Sequence, residues 1–190
     1  MKPIILVLLG GLALLAACSS TSSDHNAQDV SFAQDMVPHH TQAVQMADMA
    51  LAQGSSTKVK DLATRIKAAQ GPEIARMKGW LTTWGEPLAA TSGDTDHAGG
   101  MSMGSGGGAG MNMGTGMMSE AQMNQLRGAT GADFDRMFLT MMVEHHQGAV
   151  AMSRTELDKG RYGPAKQLAQ AITDAQQKEI AEMQGLLGSL

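Results

Sequence analysis

The sequence predicts an all-α protein, a four-helix bundle made of two repeated αα-hairpins with a Met/Gly-rich linker between them. Three observations predict it. The chain matches itself without gaps at an offset of 106, residues 29–81 against 135–187, at 23 of 53 positions. Within each copy, apolar residues recur at spacings of three and four on either side of one glycine-marked break, the pattern of helix, turn, helix. Aromatic residues make up only 3% of the chain, and β-branched runs are scarce, so little material is left for strands. A lone αα-hairpin has nothing to bury its apolar stripe against, and two copies therefore imply a bundle with a pseudo-twofold relation.

The elements follow in order. Lys2, then Ile4 to Leu9 and Leu12 to Leu15, form an apolar run too short to span a bilayer and followed by small residues, which reads residues 1–17 as an export signal. Leu15-Ala16-Ala17-Cys18 resembles the bacterial lipobox, whose Cys becomes the acylated first residue of the mature chain. Cys18 is the only cysteine, which also excludes an intrachain disulfide or a Cys-rich zinc site. In a Gram-negative cell, Ser19 after Cys18 implies the periplasmic face of the outer membrane. Residues 18–28 read as a flexible tether.

The first hairpin occupies 29–84, with helices at about 29–53 and 57–83. Pro38 stands where the second copy has Glu144, and Gly71-Pro72 interrupts the second helix, so a kink or restart is expected at each. Residues 85–118 carry Asp96-His97 and Met101, Met103, Met111, Met113, Met117 and Met118 in a Gly-rich setting. Such a segment reads as a linker that packs no core, free to offer thioethers. In 119–190, Ser119 is a plausible N-cap for a short helix, followed by the second hairpin with helices at about 131–159 and 164–187. A formal charge of −4 excludes the basic face of a nucleic-acid binder.

At about 100° per residue, Phe32, Met36, Ala43, Ala47 and Ala50 share the buried face of the first helix, and His39 and His40 straddle its centre. Leu62, Ile66, Met77 and Trp80 share a face of the second, with Glu73 among them. Folding the hairpin at residues 55–56 brings His39 and His40 level with Gln70 and Glu73, and Met36 level with Met77. The repeat places His145, His146, Gln176, Glu179, Met142 and Met183 in the same way, with Met46 and Met152 one step further along. A single inward histidine is ordinarily a hydrogen-bonded core residue. A repeated His-His pair facing a repeated Glu exceeds what such a network needs. The helical methionines serve a core as well as a metal.

Thioether suits Cu(I), and Ag(I) by the same softness, while imidazole suits Cu, Zn, Fe and Ni. Zinc gains nothing from Met, and a di-iron carboxylate bundle wants four carboxylates with Glu-x-x-His on two helices, which neither copy has. Copper, favoured as Cu(I), fits best. The Phe-x-x-x-Met-Val-Pro-His-His-x-x-Ala-Val-x-Met run from Phe32 to Met46, its counterpart from Phe138 to Met152 with Glu144 in place of Pro, and Gln-x-x-Glu-Ile-Ala-x-Met at Gln70 and Gln176 resemble the bacterial family of the domain of unknown function 305. That resemblance implies a ferritin-like helical bundle and, through periplasmic copper-binding members, copper binding at the matching His and Met positions.

The expected function is a lipid-anchored copper-binding protein for metal tolerance or trafficking in the cell envelope. Linker thioethers would capture Cu(I) and the bundle would hold it. The expected partners are metal ions, the membrane through lipid on Cys18, and a copper-exporting or copper-receiving envelope protein; oligomeric state stays open. The alternative is a ferritin-like redox enzyme with a copper or iron centre. Against catalysis stands the lack of a Ser or Thr nucleophile beside a buried His.

Overall fold

The computed structural model describes residues 24–88 and 116–189. Five helices account for nearly all of them: α1 Ala27–Gln53, α2 Thr57–Trp84, α3 Glu120–Gly128, α4 Gly131–Lys159 and α5 Gly163–Leu187. The bundle is all-α, as the repeat implies. Export signal, Cys18 and the linker residues His97, Met101, Met103, Met111 and Met113 lie outside the described residues.

Two of the five helices start on a side-chain capping box. Asn26 accepts from the backbone N–H of Gln28 and Asp29 while Asp29 accepts from Asn26, a capping box at the start of α1. Ser119 and Gln122 form the same device at α3. The expected restarts at Pro38 and Gly71-Pro72 do not occur: α1 and α2 run through both prolines without a break. Both prolines are exposed, away from the packed stripes, and that packing holds the helices continuous.

The hairpins α1–α2 and α4–α5 meet chiefly through α1 and α4. Two carboxylates fix that contact. Asp29, at the start of α1, accepts from the backbone N–H of Arg161 and Tyr162 at the turn of the second hairpin, at 3.0 and 2.9 Å. Its repeat counterpart Asp135, at the start of α4, accepts from the N–H of Ser55 and Ser56 and from Ser55 Oγ at the turn of the first. Each hairpin thus caps the turn of the other, and α1 and α4 lie antiparallel. Gly54 is needed here, because a Cβ on it would stand 2.7 Å from Ala50 O and 2.9 Å from Asp135 Oδ1.

Buried apolar residues fall into two clusters, one at each end. The first joins Met46, Leu62 and Ile66 from hairpin one to Phe134, Phe138, Met142 and Met183 from hairpin two. The second joins Phe32, Met36, Met77 and Leu81 to Leu168 and Ile172. The linker expectation needs one correction. Met118 is 3% exposed and belongs to the first cluster, because the segment ending the linker docks on the bundle instead of hanging clear of it.

Where the first copy has Ala50, the second has Glu156, fully buried beside Asp29. Burial pushes the Glu156 carboxyl up to about 8, and the hydrogen bond and negative charge of Asp29 push the same way. Burial also raises Asp29, but hydrogen bonds from Glu156 and from the N–H of Asn26, Tyr162 and Arg161 outweigh it and hold that carboxyl below its ordinary value. Between about 4.5 and about 8 the unfolded chain has released the Glu156 proton and the folded chain still holds it. Glu156 therefore lowers stability progressively across that range, by about 1.4 kcal/mol per unit at most, and by no more above it. Glu156→Gln should flatten the fall in urea midpoint between roughly pH 5 and pH 8; a variant that keeps the parent's slope would remove Glu156 as its source.

Candidate metal centre

On every long helix a polar step separates the two apolar clusters: His39 and His40 on α1, Gln70 and Glu73 on α2, His145 and His146 on α4, Gln176 and Glu179 on α5. All four histidines are buried, with at most 1% exposure. The register follows from the Asp29 and Asp135 caps, which set α1 against α4 so that the two His-His pairs meet at the pseudo-twofold.

Two arrangements result. His39 and His145 face each other across the α1–α4 contact, ring centroids 3.7 Å apart and planes tilted by 40°. His40 and His146 turn outward within their own hairpins. His40 Nε2 lies 2.8 Å from Glu73 Oε2, and His146 Nε2 lies 2.7 Å from Glu179 Oε2. A carboxylate accepts, so each Nε2 carries the proton and each Nδ1 of a neutral ring keeps its lone pair. Among the described residues, neither Nδ1 has a hydrogen-bond partner, and an orphaned buried acceptor costs about 1–3 kcal/mol. Glu73 and Glu179, suggested by the sequence as ligands, are engaged on the imidazoles and partly open to solvent at 20% and 18% exposure.

Burial holds His145 well below the ordinary histidine value, and positive charge on His39, His146 or His40 would lower it further. The ring is therefore a neutral lone-pair donor. Among the described residues, no group of three or more His, Cys, Asp or Glu side chains is gathered to hold a metal ion. The available set is instead pairs of imidazoles with thioethers on either side. Met36 and Met77 lie in one flanking cluster and Met142, Met183 and Met46 in the other, with Met152 packed partly buried against the first of these. The caps at Asp29 and Asp135, the buried Glu156 and the docking role of Gln42 described below were not read from the sequence. The first two are shared positions of the repeat, a signal that was visible without its meaning.

Fold and layer together define a class, a pseudo-twofold α-helical bundle that buries four imidazoles between two methionine-bearing clusters. The family profile of the domain of unknown function DUF305 matches residues 29–187, and the chain belongs to that family. Among solved structures, a DUF305 protein of Streptomyces coelicolor is 28% identical with a TM-score of 0.72, covering 85% of this chain and 93% of that one. A DUF305 fragment of Deinococcus radiodurans is 32% identical at a TM-score of 0.71, over 87% of this chain and 98% of that one. CopM in its Cu(II)-bound form is 31% identical at a TM-score of 0.67, over 85% of this chain and 96% of that one. CopM is also known in Cu(I)-bound, Ag-bound and apo forms. Among curated proteins, no sequence matches the chain.

The carboxylate contacts set the tautomers. In ¹⁵N-edited spectra of the metal-free protein, neutral His40 and His146 should both be protonated at Nε2. Glu73→Ala should scramble the His40 tautomer and leave His146 unchanged; an Nδ1-protonated parent would overturn the assignment.

Proposed function

We propose that this protein binds copper as Cu(I), and Ag(I) by the same softness, and that it carries or sequesters the ion in the cell envelope without catalysis. The observation that carries the reading is the layer of four buried imidazoles, two with orphaned Nδ1 lone pairs, lying between clusters that present thioethers. Nitrogen and sulphur donors with no net charge suit a soft monovalent ion, which can be buried with little charge to neutralise. The likeness to CopM, solved with copper and silver, supports it.

In this reading His39, His40, His145 and His146 supply ligands, with small ring rotations at the His39–His145 contact. Met36 and Met142 stand one helical turn before the His-His pairs, and Met77 and Met183 one turn beyond Glu73 and Glu179. Glu73 and Glu179 orient the rings from behind, a role that commonly changes metal affinity by about 10–100-fold. The Met-rich segment adds weaker sites, since ordering an open chain costs roughly 1–2 kcal/mol per residue fixed. Among the described residues, no helix is long and apolar enough to cross a membrane, and we assign attachment to an acyl chain on Cys18, facing a copper-exporting or copper-receiving partner.

Replacing His39, His40, His145 and His146 by Ala should abolish tight Cu(I) binding in a chelator competition while circular dichroism still reports a helical bundle. Undiminished affinity would sink the site. The copper-loaded protein should oxidise neither Cu(I) nor Fe(II) with O₂ faster than free metal, whereas saturable multiple turnover would favour a redox enzyme. Cys18→Ser should move the protein from the membrane fraction to the soluble one; an unchanged distribution would remove the lipid anchor.

A further inference from the structure

Among the positions beside the histidine layer where the two copies differ, half-buried Gln42 on α1 corresponds to buried Gly148 on α4. Both departures are used by the same short segment. Gln42 Nε2 donates to Met118 O at 2.8 Å, and Met118 N–H donates to Gln42 Oε1 at 2.7 Å, so one amide clamps both faces of that residue's backbone. Gly116 lies on α4 in the left-handed region, φ +86°, where a Cβ would stand 2.7 Å from Glu144 O and 2.9 Å from Gly148 Cα. Only glycine on glycine allows that approach. Residues 116–118 therefore bridge α1 and α4, three residues beyond His39 on one side and next to His145 on the other.

The docked segment borders a cleft of about 460 Å³ between α1 and α3, lined by Met117, Met118 and Met123 and by polar side chains that include Gln42, Glu120 and Arg127. Met118 and Met123 are nearly buried, and Met117 is half-buried. Three methionines thus border a cleft that is open to solvent on one side. Three sulphur donors match the low coordination numbers and soft character of Cu(I) and Ag(I) better than those of hard divalent ions, even with the Glu120 carboxylate at the rim. Met123 belongs to α3, a helix outside the repeated hairpins.

We propose that Met117, Met118 and Met123 form a second soft-metal site, separate from the histidine layer and built by the docked end of the linker. It deepens the copper-carrier reading and rests on that reading for the identity of the ion. Gln42, which clamps the segment, stands about one helical turn beyond His39 on α1.

The test uses Ag(I) as the probe on the mature chain with [methyl-¹³C]Met, in the parent, in Met117→Leu/Met123→Leu, and in the four-histidine Ala variant. Leu for Met conserves volume and should leave the fold intact; Gln42→Ala, which releases the clamp without touching a sulphur, is the second way of emptying the cleft. The Met123 methyl should shift on adding Ag(I) to the parent and to the histidine variant alike. The double Leu variant should bind one Ag(I) fewer than the parent, and Gln42→Ala should weaken that equivalent. A Met123 methyl that stays put, or a double variant of unchanged capacity, overturns the second site even if the histidine variant has lost its tight binding. A histidine variant that keeps full tight binding while Met123 shifts overturns the histidine reading and leaves this site standing.

Discussion

The reciprocal capping by Asp29 and Asp135 is the interaction on which the rest of the molecule depends. Each carboxylate satisfies the backbone N–H groups at the turn of the opposite hairpin, groups that no helix of its own hairpin could pair. The contact is local in space and remote in sequence, with partners about 80 and 132 residues apart. It sets the antiparallel docking of α1 on α4 and thereby the level at which the two His-His pairs meet. A slip of one residue between these helices would turn a histidine away from the pseudo-twofold by about 100°.

Given that register, the polar layer is a concentrated departure from good core chemistry. Two apolar clusters are kept apart by imidazoles, amides and carboxylates, several with buried atoms lacking partners among the described residues. A bundle selected for stability alone would close the two clusters into one, since replacing buried polar networks by apolar side chains is often neutral or better. That the same step recurs on four helices is the physical sign of a site.

Much of this was legible from the residues. The offset of 106 located every hairpin helix within about two residues, and helical periodicity with the fold at the turn brought each His-His pair level with a Gln and a Glu, without saying which imidazole meets the carboxylate. Three things were not legible. Of the kink or restart expected at Pro38 and Gly71-Pro72, the restart does not occur, because a local rule does not see that both prolines face solvent. Met118 read as linker because composition describes neighbours in sequence, while Gln42, 76 residues away, decides its place. For Glu73 and Glu179 direction was derivable and distance was not: the 2.8 and 2.7 Å contacts to His40 and His146 Nε2 could not be read from the sequence.

The pseudo-twofold has a consequence in terms of concentration. Each hairpin carries half of the histidine layer and a cap for the other's turn, so two separate hairpins would assemble the site only by association. Joined in one chain, the second half is present at an effective concentration on the order of millimolar, and the layer forms whether the protein is scarce or abundant. Covalent linkage also releases the halves from being identical. A symmetric pair would have to place Gln at both positions 42 and 148 or Gly at both, giving two clamps with no bed or two beds with no clamp, whereas the single chain holds one of each.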